Sequence, residues 1–179
     1  MIQSVTIIGE NRTGCIVDGV EDYPGVFNID AINVVLSNFT LFDTRVGVRI
    51  GEDSKNVTLS NLIIDTCGKR DSIGISIEET ASHNILLNNT VRRAHLGIRI
   101  ALAGGGHNKL RDNRIIDIAE SSIGKGFGFV TNGPDLGSYL NDIDTSNTVE
   151  EKPIYYLINK TGITLNKDTY PSIGYLALI

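Results

Sequence analysis

Gly47-Val48-Arg49-Ile50, followed by Asn56-Val57-Thr58-Leu59-Ser60-Asn61-Leu62-Ile63-Ile64, opens a phrase that the chain writes three times. Gly74-Ile75-Ser76-Ile77 leads to Asn84-Ile85-Leu86-Leu87-Asn88-Asn89-Thr90-Val91. Gly97-Ile98-Arg99-Ile100 leads to Asn108-Lys109-Leu110-Arg111-Asp112-Asn113-Arg114-Ile115-Ile116. A looser copy precedes them, from Val26-Phe27-Asn28-Ile29 to Asn33-Val34-Val35-Leu36-Ser37-Asn38-Phe39-Thr40-Leu41. Self-similarity with a period of about 20–30 residues marks a solenoid.

Inside each copy, apolar and polar residues alternate: Val48 and Ile50 flank Arg49, and Val57 and Leu59 flank Thr58. Period-two alternation is a strand with one buried face. No window carries an apolar stripe of helical period, which excludes helical and leucine-rich repeats. Runs this short bury a face only by stacking coil on coil, each strand about 4.8 Å above its equivalent. The expected fold is all-β, a right-handed parallel β-helix of about four to five coils plus irregular ends. Its hand follows from the right-handed preference of parallel crossovers. Coils are expected over 26–46, 47–73, 74–96 and 97–124, so that residues 1–130 form the β-helix. Residues 131–179 read as an irregular segment and final coils of the same domain, with 131–153 as the longest stretch lacking structure. Asn38, Asn61, Asn89 and Asn113, spaced by 23, 28 and 24 residues, are expected at one corner position as a hydrogen-bonded ladder.

The opening Val5-Thr6-Ile7-Ile8-Gly9-Glu10-Asn11-Arg12-Thr13-Gly14-Cys15-Ile16-Val17-Asp18-Gly19 resembles the first coil of the NosD-like right-handed β-helix repeat proteins. Asn141-Asp142-Ile143-Asp144-Thr145-Ser146-Asn147-Thr148-Val149 and Lys152-Pro153-Ile154-Tyr155-Tyr156-Leu157 are similar to a segment of that family's archaeal surface members. The resemblance covers nearly the whole chain. It implies the β-helix, and either periplasmic copper binding or the carbohydrate-binding and sugar-hydrolysis role; fold alone does not choose between them.

Composition narrows the partners. The chain has 179 residues, 19 glycines, no tryptophan, 41% hydrophobic residues and a net charge of −5. That balance argues against nucleic acid, which asks for a basic stripe. No apolar run approaches a membrane span and no signal peptide is evident. Strand-like sequence close to both termini reads as a piece of a longer protein, expected outside the cytoplasm: extracellular, on the cell surface or periplasmic. Cys15 and Cys67, about two coils apart, read as small apolar residues rather than a disulfide.

Asp43, Asp65 and Asp117 fall two to three residues after the last inward residue of their coils, with Arg92 in that place in coil three. Stacked, they form a column, best read as ion pairs. Hydrolytic pairs instead stand about 5–5.5 Å or 6.5–9.5 Å apart. His83 and His107 stand directly before Asn84 and Asn108, as Lys55 does before Asn56, so the stack brings their imidazoles within about 5 Å. Two ligands do not complete a tight metal site. No cofactor is expected; copper and calcium are the ions to weigh, calcium because Asp112 beside Arg92-Arg93 echoes a lyase arrangement. Arg49 and Arg99 alternate with isoleucines and point outward with Ser76 between them. With Arg92, Tyr23, Arg111, Tyr139, Tyr155 and Tyr156 they are candidates to hold a polysaccharide or cell-surface glycan. The favoured function is a non-catalytic scaffold or carbohydrate-interaction module, with a glycoside hydrolase or polysaccharide lyase second and copper delivery third. Uncovered terminal rungs predict end-to-end self-association, unless residues 131–170 fold back as a plug.

Overall fold

The computed structural model describes residues 4–19, 25–103, 105–121 and 124–179. Its strands run in triplets, one triplet to a turn. The first turn holds β1 (Val5–Ile8), β2 (Ile16–Asp18) and β3 (Phe27–Ile29). The second holds β4 (Val34–Ser37), β5 (Thr40–Phe42) and β6 (Val46–Ile50), and the third β7 (Thr58–Ser60), β8 (Ile63–Asp65) and β9 (Ile73–Glu79). The fourth holds β10 (Ile85–Leu87), β11 (Thr90–Arg92) and β12 (Leu96–Leu102). In the fifth, β13 (Lys109–Arg111) and β14 (Arg114–Ile116) precede a small hairpin, β15 (Glu120–Ser121) and β16 (Gly124–Lys125), and then β17 (Phe127–Asn132). A single helical turn, α1 (Leu136–Tyr139), leads to β18 (Asp142–Ile143), β19 (Thr148–Val149), β20 (Lys152–Leu157) and β21 (Tyr175–Leu178).

Equivalent strands stack in parallel, and β20 then adds to the second sheet antiparallel to β19. The first sheet runs β1-β4-β7-β10-β13-β18, the second β2-β5-β8-β11-β14-β19-β20-β21 and the third β3-β6-β9-β12-β17. The result is a parallel β-solenoid of about six turns. The segment 131–153 is not structureless: α1, β18 and β19 lie in it, and β18 and β19 extend the first two sheets. Short strands with few inward residues hide their signal there; Ile143 and Val149 are the inward apolar residues that carry it.

The core is a set of stacked columns. Leu36, Leu59, Leu86 and Leu110 form one, and Leu41, Ile64, Val91 and Ile115 another, all 2% exposed or less. Both columns repeat at intervals of 23, 27 and 24 residues. A glycine column faces the second: a Cβ on Gly47, Gly74, Gly97 or Gly128 would lie 2.2–2.4 Å from a methyl of Ile64, Val91, Ile115 or Val149. On the first three it would also lie 2.3–2.6 Å from the carbonyl of the next glycine. Glycine is there because rung-to-rung approach leaves no room for a side chain.

At each corner one residue takes the left-handed backbone: Asn33, Asn56, His83 and His107 at the first, Asn38, Asn61, Asn88 and Asp112 at the second, with φ between 53° and 62°. Asn and Asp tolerate that conformation through local hydrogen bonds. This corrects the register expected for the ladder. Asn38 and Asn61 are corner residues, whereas Asn89 and Asn113 sit one place later, on the inward position of Phe39 and Leu62. There are thus two ladders. Outside, Asn61 Nδ2 donates to Asn38 Oδ1 (3.2 Å) and Asn88 Nδ2 to Asn61 Oδ1 (2.6 Å). Inside, Asn89 Nδ2 donates to Asn113 Oδ1 (3.0 Å) and Asn113 Nδ2 to Asn147 Oδ1 (2.8 Å). The same switch occurs at the first corner, where Val34 and Val57 give way to buried Asn84, Asn108 and Asn141. Each inward asparagine accepts a backbone N–H from the rung before it: Asn89 from Leu62, Asn113 from Asn89 and Asn147 from Asn113. The ladder therefore satisfies corner amides that no strand partner reaches.

The C-terminal rung is covered. Ile154 and Tyr156, 0% and 8% exposed, turn inward from β20, which runs antiparallel to β19. Tyr156 donates its hydroxyl to Tyr139 O (2.7 Å), and the Tyr175 ring meets Phe129 edge-on at 5.0 Å.

Candidate functional site

Three groups of side chains stand out on the surface of the stack. The first lies on the third sheet, where Arg49, Ser76 and Arg99 share one outward row. Glu78, two residues past Ser76 and so on the same face, ties the row together. It accepts Arg49 Nε at 2.7 Å and Ser76 Oγ at 2.9 Å, and lies 3.5 Å from Arg99 Nη1. Arg49 Nη1 reaches Asp30 at 3.1 Å. Gly51 leaves space for that pair, since a Cβ there would stand 1.8 Å from Asp30 Oδ1 and 2.5 Å from Arg49 Nη1. The row Asp30–Arg49–Glu78–Arg99 is thus a chain of alternating charges. Glu78 carried no sequence signal of its own beyond the alternation that points it outward.

The second group is on the second sheet. The expected column of Asp43, Asp65, Arg92 and Asp117 does not form. Asp65 shares its row with Phe42, Arg92 and Ile116, while Asp43, Arg93 and Asp117 occupy the following corner with φ of 53–58°. The reason is the one-residue difference that also split the asparagine ladder. The expected chemistry survives in altered form. The Asp65 side chain, 0% exposed, meets Arg93 Nε (2.7 Å) and Nη2 (2.5 Å), Arg92 Nε (2.7 Å) and the Cys67 N–H (3.0 Å). Burial pushes its pKa up, but the Arg93 hydrogen bonds, the Cys67 amide and both guanidinium charges outweigh that and hold it below the ordinary carboxylate value. Asp43 pairs with Lys69 at 3.2 Å.

The third group is the histidine pair. His83 and His107, both exposed, stack with ring centroids 5.3 Å apart and planes at 29°. They continue the corner of Asn33 and Asn56, so Lys55 does not share their row; it bridges instead to Ser82. Among the described residues no three His, Cys, Asp or Glu side chains gather as a metal site. The two imidazoles alone do not make up the ligand set of a trigonal or tetragonal copper centre. Cys15 and Cys67 are unpaired, half-buried thiols, and Asp112 forms part of the second corner rather than a calcium cluster.

The aromatic candidates divide. Tyr156 is buried in the C-terminal cover, with its pKa raised by that burial, so its ring is not offered to a ligand. Tyr155 is half-buried against Tyr170, edge-on at 4.7 Å. Tyr139 hydrogen-bonds Gly133, and Arg111 is tied to Asp142 and Asp144. Tyr23 lies outside the described residues.

Stacked parallel strands, inward asparagine ladders and ion-paired outer rows define the class: a parallel β-helix module. The chain belongs to the family of the periplasmic copper-binding protein (NosD), whose model matches residues 3–174. No curated protein and no solved structure matches it. No helix of the described residues is long and apolar enough to cross a membrane.

Proposed function

We propose that the protein is a non-catalytic β-helix scaffold, working outside the cytoplasm, whose flat outer faces engage polysaccharide. The observation that carries this reading is the row on the third sheet. Its hydrogen-bonding groups are fixed by one another and repeat at the strand spacing of about 4.8 Å, close to the length of a sugar ring. Groups already held in place lose little freedom on binding. The carboxylates support the non-catalytic part. A general acid for glycoside cleavage needs a raised pKa, whereas Asp65 is lowered and enclosed by two arginines. Glu78 is spent in the ladder between Arg49 and Arg99. A glycan array on immobilised protein tests the reading. Binding that weakens in Arg49→Gln/Arg99→Gln supports it, and an array without any bound glycan refutes it.

The stacked imidazoles, together with the family's description, favour a second reading: an exposed two-histidine site that takes copper, with water completing its ligands. Calorimetric titration with Cu(II) would show one ion bound weakly and lost in His83→Ala. No uptake, or uptake unchanged in His83→Ala, refutes it.

A further inference from the structure

Beside Arg92 the second sheet carries a groove of about 420 Å³, lined by Thr13, Ile16, Thr40, Phe42, Ile63 and Arg92. Ile16, Thr40 and Ile63 share one outward row, and Phe42 stands in the next row with Asp65 and Arg92. Ile16 and Phe42 are 61% and 40% exposed, so this is an apolar floor open to solvent. One wall is the Asn11–Gly14 turn, held by Asn11 Oδ1 accepting the Thr13 and Gly14 amides at 3.1 and 2.6 Å.

Charge distinguishes this groove from a bare apolar patch. Asp65 is paired through both oxygens by Arg93. Arg92 shares the same carboxylate through Nε alone and has no second carboxylate in ion-pair reach among the described residues, whereas Arg93 also feels Asp117. The Nη groups of Arg92 have no hydrogen-bond partner among the described residues, and Arg92 is the sole charged side chain lining the groove. Arg92 thus offers the groove one planar cation with two parallel donors, the geometry that carboxylate matches. A wholly apolar occupant would leave Arg92 unanswered, and a bare anion would leave Phe42 and Ile16 wet. An amphipathic ring with a carboxylate satisfies both.

We propose that this groove is a subsite for one uronic-acid residue of an acidic polysaccharide, a contact additional to the third-sheet row and resting on the polysaccharide reading above. The sugar's C–H face lies on Phe42, Ile16 and Ile63, its carboxylate meets the Arg92 Nη pair, and a hydroxyl reaches Thr13 Oγ1.

The test is calorimetry with uronate, neutral and sulfated trisaccharides, too short to span two faces, on the intact chain and on Phe42→Ala, Arg92→Gln, Arg99→Gln and Arg114→Gln. The uronate trisaccharide is expected to bind, to weaken about tenfold or more in Phe42→Ala and Arg92→Gln, and to weaken with added salt. Arg114→Gln, which removes a surface pair with Glu151, leaves binding unchanged. Equal affinity for the sulfated sugar overturns the uronate assignment. Binding insensitive to Phe42 and Arg92 but lost in Arg99→Gln overturns the subsite and leaves the broader reading standing. No binding of any glycan overturns both. Because Arg92 also meets Asp65, circular dichroism accompanies each variant. Should Arg92→Gln fail to fold, Thr13→Ile, which fills the groove without touching Asp65, takes its place with the same expected loss.

Discussion

Replacing Asn113 by alanine should cost far more than replacing Asn38, although the two look equivalent in the repeat. The Asn113 side chain is 1% exposed and makes four hydrogen bonds. Its Oδ1 accepts Asn89 N (3.1 Å) and Asn89 Nδ2 (3.0 Å), and its Nδ2 donates to Leu86 O (2.9 Å) and Asn147 Oδ1 (2.8 Å). In Asn113→Ala the buried Asn89 N–H loses its acceptor, at about 1–3 kcal/mol, and a small cavity adds to that. Asn89 Nδ2 keeps Leu59 O and Asn147 Oδ1 keeps the Asn113 N–H, which limits the damage. The sum is about 3 kcal/mol. Asn38, half-buried at an outer corner, gives up one bond to Asn61 and the left-handed preference of asparagine, about 1 kcal/mol together. For a chain of this length each kcal/mol moves the melting midpoint by about 2–4 °C. Scanning calorimetry at one heating rate should therefore show a drop of about 6–12 °C for Asn113→Ala against about 2–4 °C for Asn38→Ala. Equal drops would mean one ladder, not two, and would refute the inward placement.

The other expectations are shorter. Asp65, whose folded pKa is depressed, contributes stability that is present above the unfolded carboxylate value of about 3.9 and is lost as pH falls through the lower folded value. Denaturation midpoints of Asp65→Asn should thus lie about 2 kcal/mol below the parent at pH 7, with the gap closing in acid; a gap independent of pH would deny the ion pair. Gly74→Ala should destabilise by about 3 kcal/mol, because its Cβ would fall 2.2 Å from Val91 Cγ1 and 2.6 Å from the Gly97 carbonyl. An unaffected urea midpoint would show that the rungs are not so closely set. Glu78→Gln should cost about 1 kcal/mol and raise the exchange rate of the Arg49 guanidinium protons, measured by NMR; unchanged exchange would mean the row is not coupled.

Most of the fold was legible because alternation survives stacking: every core strand from 26 to 116 shows its apolar face in the sequence. Register was less legible. Counting asparagines gives intervals of 23, 28 and 24 residues, while the leucine column Leu36, Leu59, Leu86 and Leu110 gives 23, 27 and 24. The core sets the true register, since one residue of slip would turn each leucine outward. Asparagine misleads because it suits both an outer left-handed corner and an inward ladder, and here it changes place between the second and third repeats. The outward direction of Arg49 and Arg99 followed from alternation. The Asp65–Arg92 pair followed from stacking, but the reach of Arg93 from the corner did not. That Phe42 would floor a groove depended on the turn that brings Thr13 alongside, and no periodicity encodes that.

The most direct measurement is to incubate the protein with a polyuronide and a neutral polysaccharide while following bound polymer, new reducing ends and unsaturated-uronate absorbance together. A non-catalytic scaffold with an Arg92 subsite retains the polyuronide, saturably, and neither chemical signal rises. Accumulating reducing ends or unsaturated products, or a polyuronide that passes unretained, would contradict it.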